Sequence, residues 1–94
     1  MVIGYCQIDL HIPASRSLKD KRSVVRSIVA RVSQEHNVSI AELDHQDLWQ
    51  SASLGVACVA TEGSQAHRRL ESVVRWLEQN RPDVEIVGYR IEIL

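Results

Sequence analysis

The sequence predicts a small α+β fold, built from four strands and two helices in the order βαββαβ. Three observations lead to this prediction. The chain has 94 residues, of which 45% are hydrophobic and 24% charged, an ordinary composition for one folded domain. Four segments alternate apolar and other residues as half-buried strands do, and two segments repeat apolar residues at helical spacing. We therefore expect one domain that spans residues 1–94.

The first strand and the first helix are the most clearly marked elements. Residues 2–12 alternate until Pro13, which ends the strand because it has no N–H to donate. Ser17 is placed to cap the helix that follows, and Asp20 completes a capping box. The helix should end just before Asn37. Its apolar stripe consists of Leu18, Val25, Ile28, Val29 and Val32.

Three strands and a second helix complete the order. Residues 38–44 and 51–61 are predicted strands, and the polar connection between them holds Trp49. A second helix opens at residues 63–64 and ends before Pro82, because the residue before a proline avoids the helical backbone conformation. Residues 84–94 are the last predicted strand. The residues expected on its apolar face are Val87, Tyr89, Ile91 and Ile93.

This order of elements also predicts the topology. Both helices must cover one face of the sheet, and right-handed crossovers then place the strands in the order 4-1-3-2. The expected fold is therefore ferredoxin-like α+β, with a four-stranded antiparallel sheet and two helices on one face. This topology brings residues 13–22, 44–50 and 81–84 to the same end of the sheet.

Charge is distributed unevenly along the chain, although the net charge is only −1. Between residues 16 and 36, six basic residues stand against two acidic ones, whereas residues 37–63 hold four acidic residues and no Lys or Arg. A dedicated nucleic-acid binder is usually strongly basic overall, so the total argues against one. The local excess still provides cations for phosphate groups. The candidates for anion or RNA binding are Arg16, Lys19, Lys21, Arg22 and Arg26.

Two interpretations of these basic residues remain open. In the first, Lys21 and Arg22 pair with acidic residues of the 42–50 segment, whose predicted structural edge comprises Asp44, Asp47 and Trp49. Trp49 would then pack over the edge of the core. In the second, serine hydroxyls and the free N–H groups at the helix N-terminus hold a phosphate together with these cations. The two interpretations are compatible if Lys21 makes the pair and Arg16 and Lys19 face water.

The sheet face opposite the helices is a second candidate surface. Small and apolar residues on an open sheet suit packing against a second copy of the chain. The predicted dimer face consists of Ile3, Tyr5, Gly55, Ala57 and Val59. Because the chain contains no Phe and this face offers few aromatic residues, a base-stacking platform is not predicted.

Neither a catalytic nor a metal site is predicted. Cys6 and Cys58 lie among apolar neighbours and should be buried and reduced. The four histidines show no metal-ligand spacing. Asp9 and His11 share a strand face, but no nucleophile accompanies them. We therefore expect no enzymatic activity, no metal and no cofactor.

Several short blocks resemble a known family. Residues 17–22 (SLKDKR), 37–42 (NVSIAE), 47–50 (DLWQ) and 54–55 (LG) are similar to the signature blocks of the YlxP-like family of small bacterial proteins of unknown function. The resemblance covers the full chain and implies a ferredoxin-like domain. Genes of this family often lie beside genes for translation factors and ribosome maturation, which implies a link to ribosome assembly or translation. No catalytic residue is established for the family.

Two functions fit these observations. The first is a non-catalytic accessory protein of the ribosome or of translation, whose basic helix binds phosphates of ribosomal RNA or contacts a ribosomal protein. The alternative is a homodimeric module that binds a small ligand or a protein, with an anion site at the N-terminus of the first helix. Neither a signal peptide nor a membrane span is apparent. We therefore expect a cytoplasmic protein without a membrane partner.

Overall fold

The computed structural model describes residues 1–43 and 48–94. Its elements are β1 (Val2–His11), α1 (Leu18–Glu35), β2 (Ser39–Glu42), β3 (Ser51–Ala60), α2 (Gly63–Asn80) and β4 (Glu85–Ile93). The four strands pair antiparallel in the order β2-β3-β1-β4, which is the predicted order counted from the other edge. With both helices packed on one face, the chain has the predicted ferredoxin-like α+β fold.

The core lies between the helices and the even-numbered side chains of β1 and β3. Ile8 and Leu54 are opposite each other on these strands and are fully buried, as is Leu70 of α2. Gly4 marks a close approach of β1 and α2, since a Cβ there would lie 3.0 Å from the Cβ of Ala66 and from the Cδ1 of Leu70. A side chain at this position would therefore require α2 or the side chains beside it to shift.

Both cysteines are buried and free, as the sequence predicts. Cys6 and Cys58 lie on the neighbouring strands β1 and β3, with 0% and 6% of their surface exposed. Burial, helped by the negative charge of Glu71, raises the pKa of the Cys6 thiol to about 11. The neutral thiol is therefore the stable form of Cys6 in the folded protein.

The predicted N-cap of α1 is also confirmed. The Ser17 Oγ accepts a hydrogen bond from the backbone N–H of Asp20 at 3.0 Å. The Asp20 carboxylate accepts in return from the backbone N–H of Arg16 at 2.9 Å, one residue earlier than in the standard capping box. The Ser17 hydroxyl and the Asp20 carboxylate therefore satisfy part of the hydrogen-bonding capacity at the start of α1.

A β-bulge in β4 changes one part of the predicted pattern. Asp9 of β1 lies opposite Gly88, but the next residue, Leu10, lies opposite Ile86, so Val87 is an extra residue. The bulge reverses the alternation beyond it, which turns Ile86 toward the core and leaves Val87 72% exposed. The prediction that Val87 lies on the apolar face of this strand is therefore wrong. The prediction is correct for Tyr89, Ile91 and Ile93, which lie opposite Ile8, Cys6 and Gly4.

The odd-numbered side chains of β1 and β3 form the second face of the sheet, which we call the open face because neither α1 nor α2 covers it. β2 is shorter than predicted and ends at Glu42. Within the described ranges, neither α1 nor α2 combines the length and the apolarity that a transmembrane helix needs.

Candidate anion-binding surface on the first helix

Three of the five predicted basic residues lie together on one side of α1. Lys19, Arg22 and Arg26 are exposed, and together with Ser23 they line a shallow groove on the helix surface. Their spacing of three and four residues places them on successive turns. We call this surface the basic groove.

Lys19 of the basic groove lies in the first turn of α1, an unfavourable place for a cation. Within residues 1–43 and 48–94, no carboxylate forms an ion pair with Lys19, Arg22 or Arg26. Cations near a helix N-terminus are repelled by the macrodipole, and cations near its C-terminus are favoured. The last turn of α1 holds no basic residue. Lys19 is therefore unfavourably placed, whereas Arg22 and Arg26 lie beyond the first turn, where the macrodipole has little effect.

Lys21 has a different environment and a structural role. Its side chain is 1% exposed, and its Nζ lies 3.5 Å from the Oε2 of Glu42 and donates to the carbonyl of Ser51 at 3.2 Å. The pairing interpretation is thus confirmed for Lys21, which ties α1 to the ends of β2 and β3. The same burial removes Lys21 from the surface that a phosphate-bearing partner would contact.

The remaining predicted site residues are Arg16 of the anion-binding set and the three residues of the structural edge. Arg16 is exposed but precedes the cap and does not line the basic groove. Asp44 and Asp47 lie outside the described residues. Trp49 is 53% exposed, so the prediction that it packs over the edge of the core is wrong.

Gln50, and not Trp49, anchors the start of β3. Its side-chain amide donates to the carbonyls of Pro13 and Ser15 at 3.3 and 3.1 Å, and its own carbonyl accepts from the backbone N–H of Ile12 at 2.9 Å. These bonds hold the segment before α1 against the start of β3. No sequence signal identifies this role, because a glutamine in a polar connection is ordinary.

The predicted anion site at the N-terminus of α1 is not supported by the hydrogen bonds there. The hydroxyl of Ser15 is directed to the carbonyl of Ser17, and the hydroxyl of Ser17 accepts from the N–H of Asp20. The carboxylate of Asp20 adds a negative charge next to this N-terminus, where it accepts from the N–H of Arg16. The exposed cations of α1 therefore lie along its side, in the basic groove, and not at its N-terminus.

The predicted dimer face divides into two parts. Ile3 and Val59 are directly opposite each other on β1 and β3, and they are 42% and 60% exposed. Gly55, by contrast, lies beneath the side chain of Leu43, since a Cβ at Gly55 would be 3.0 Å from the Leu43 Cδ2. Part of the open face is thus covered by the chain itself, and the exposed part of the predicted dimer face includes Ile3 and Val59.

A polar network occupies the middle of the open face. One oxygen of the Asp9 carboxylate accepts from the hydroxyl of Ser53 at 2.7 Å and from the amide of Gln7 at 3.2 Å. Arg90 of β4 donates to the amide oxygen of Gln7 at 3.2 Å. His11 lies on the same face, and its Nδ1 is 3.1 Å from the carbonyl of Gln50. Asp9 and His11 therefore have different partners and do not form an acid–base pair in this geometry.

The fold and the surface together define a small ferredoxin-like protein with a cluster of exposed cations on its first helix. Residues 3–91 match the family described as "Protein of unknown function (DUF503)". The chain is 36% identical over 91 residues to the "Uncharacterized protein YlxP" of Bacillus subtilis (strain 168), which covers 97% of this chain and 98% of that protein. The chain therefore belongs to the DUF503 family, and the predicted YlxP-like resemblance is confirmed.

A solved structure shares the fold at low sequence identity. SnoaB, a cofactor-independent oxygenase from Streptomyces nogalater, superimposes with a TM-score of 0.50 and 10% identity over 99% of this chain and 90% of that chain. At this level of identity, the likeness shows the fold and carries no argument about activity.

Proposed function

We propose that this protein is an accessory factor that binds phosphate groups of RNA through the basic groove. The observation that carries this proposal is the clustering of Lys19, Arg22 and Arg26 on one exposed side of α1, without an acidic partner in the described part of the chain. Ribosomal RNA is the expected source of the phosphates, because the family resemblance implies a link to ribosome assembly or translation.

The chemistry of the basic groove sets the character of the binding. Lys19 and Arg26 are seven residues apart, about 10 Å along the helix, which is enough to contact more than one phosphate group. Phosphate contacts position an RNA but carry little sequence information, so binding should be only weakly sequence-specific. With three cations in contact, the logarithm of the affinity should fall with the logarithm of the salt concentration with a slope of about −2 to −3.

The direct test is RNA binding by fluorescence anisotropy with a labelled ribosomal RNA fragment. Lys19→Glu combined with Arg26→Glu should weaken binding about tenfold or more and make the salt slope shallower. The matched control is Arg68→Glu combined with Arg75→Glu, which reverses the same number of exposed charges on α2. Equal losses of RNA affinity in the two double variants would show that only net charge matters. An unchanged affinity in the Lys19→Glu, Arg26→Glu variant would show that the basic groove does not bind RNA.

A second candidate function is a self-associating binding module, and the exposed Ile3–Val59 pair favours it. Two apolar side chains that are opposite each other on an open sheet face gain from being covered by a second copy. Val59→Glu should then shift a dimer to a monomer in light scattering, with circular dichroism as the check on folding. A wild type that stays monomeric at high concentration would rule out this candidate.

A further inference from the structure

The outer edge of β4 carries backbone groups without a strand beside them. β4 is the last strand on its side of the sheet, and none of the described strands pairs with its outer edge. Ile3 and Leu94 exchange both backbone hydrogen bonds, which sets the pattern for the rest of the β1–β4 ladder. Since antiparallel pairs alternate, the N–H and C=O groups of Glu92 and Arg90 point toward β1. Those of Tyr89, Ile91 and Ile93 point outward.

We propose that two copies of this protein associate edge to edge through antiparallel pairing of their β4 strands, around a twofold axis at Ile91. In this register, Ile91 exchanges hydrogen bonds with Ile91 of the partner subunit, and Tyr89 does so with Ile93 of the partner subunit. Each of these positions is one whose backbone groups point outward, so roughly six hydrogen bonds form without disturbing the β1–β4 ladder. The result is a continuous eight-stranded sheet.

The charges on β4 favour this register. Arg90 and Glu92 are exposed on the open face, and their side chains are 3.7 Å apart within one chain. With the axis at Ile91, Arg90 lies opposite Glu92 of the partner subunit, and the second pair follows by symmetry. Moving the axis to Tyr89 would lose both cross-strand ion pairs and would place Ile91 against the bulged Val87 of the partner subunit. Charged side chains on an edge strand usually discourage pairing with a second strand. Here the basic and acidic residues of one β4 face residues of opposite charge on the other β4.

The apolar side chains on the helix side of β4 gain burial in the same arrangement. Tyr89 and Ile93 are 44% and 40% exposed, large values for side chains that face the helices. In the proposed register, each of them lies opposite the other across the new interface, and the two Ile91 side chains meet at the axis. The edge thus combines hydrogen-bond donors and acceptors, ion pairs and apolar contact, which is the combination that strand addition requires.

Edge pairing is independent of the basic groove. α1 packs over β2 and β3, at the side of the sheet away from β4. A twofold axis perpendicular to the sheet keeps both helical layers on one side and leaves the two basic grooves at opposite ends of the assembly. The open face also stays uncovered, so the Ile3–Val59 surface is not part of this interface.

The test of the proposal is a charge swap measured by sedimentation equilibrium. Arg90→Glu and Glu92→Arg should each weaken dimerisation about tenfold or more by placing like charges opposite each other, and the double variant Arg90→Glu with Glu92→Arg should restore it. Val59→Glu is the matched control and should leave this dimer intact. A wild type that is monomeric at about 0.5 mM, or a double variant that does not recover, would overturn the proposal.

Amide hydrogen exchange gives an independent readout that does not depend on any variant. The amides of Tyr89, Ile91 and Ile93 should exchange rapidly in dilute protein and become protected as the concentration rises. The amides of Arg90 and Glu92, which bond to β1, should be protected at every concentration and serve as internal controls. Concentration-independent exchange at the three outward positions in a sample that dimerises would show that the dimer uses another surface and would contradict the proposal.

Discussion

At the residue scale, Lys21 links three elements of the fold. It occupies a position in the apolar stripe of α1, and its ammonium group reaches Glu42 of β2 and the carbonyl of Ser51 at the start of β3. A buried ammonium without partners would be costly, so these contacts make the position tolerable and also fix how α1 lies over the sheet edge. The helical spacing and the acidic segment made this pairing predictable from the sequence.

Replacing Lys21 tests this structural role. Lys21→Ala should lower the free energy of unfolding by about 1–3 kcal/mol, because the Ser51 carbonyl loses a charged hydrogen-bond donor and Glu42 loses its ion-pair partner. Lys19→Ala removes a charge of the same sign two residues away on the exposed side and should change stability by less than about 0.5 kcal/mol. Urea denaturation measures both. Equal stabilities of the two variants would show that the buried contact contributes nothing.

The buried thiols provide a second test at this scale. Both cysteines should react slowly with a thiol reagent in the native protein at neutral pH and rapidly after denaturation. Two fast-reacting groups in the native protein would contradict the burial of Cys6 and Cys58.

The raised pKa of Cys6 also predicts an alkaline loss of stability. The unfolded chain releases the thiol proton near the ordinary pKa of 9.0, whereas the folded protein holds it to about 11. The contribution of Cys6 to the free energy of unfolding is therefore fully present below pH 9. It is lost as the pH rises from about 9 to about 11, by up to ~1 kcal/mol per pH unit. Cys6→Ala should flatten this part of the pH profile in urea denaturation. An unchanged slope would assign the alkaline effect to other groups.

At the scale of the elements, the sequence predicts the order and the faces better than the ends. The alternation of β1 and β3 is set by side chains that must be buried, so their faces follow directly from the sequence. The bulge at Val87 is different, because an extra residue in a ladder depends on how two strands meet and leaves no periodic signal. The exposed position of Trp49 is also not visible in the sequence. It depends on tertiary contacts, which its neighbour Gln50 makes at the start of β3.

Two glycines give a matched test of strand packing. Gly4→Ala should lower the free energy of unfolding by about 1–3 kcal/mol, because the new Cβ would meet the rigid Cβ of Ala66. Gly88→Ala, on the edge strand, places its Cβ in open space and should be neutral or slightly stabilising. Thermal denaturation monitored by circular dichroism compares them. A larger loss for Gly88→Ala would mean that β1 and α2 pack less closely than described.

At the scale of the whole molecule, three surfaces are separated in space. The basic groove lies on α1 above the β2 side of the sheet, the outward edge of β4 lies on the other side, and the Ile3–Val59 surface lies on the open face. The uneven charge of the sequence indicated the first surface, and the fold separates Lys21, which turns inward, from Lys19, Arg22 and Arg26, which stay exposed. Each surface can therefore be altered without touching the others.

The most direct test of the proposed function is to map the RNA contact on the protein by nuclear magnetic resonance. A titration of the ¹⁵N-labelled protein with a ribosomal RNA fragment should shift the backbone amides of residues 19–26 first, and added salt should reverse these shifts because the contacts are with phosphates. The amides of α2 around Arg68 and Arg75 should change little. Shifts confined to the open face or to β4, or no shifts at low salt, would contradict the account of the basic groove as an RNA-binding surface.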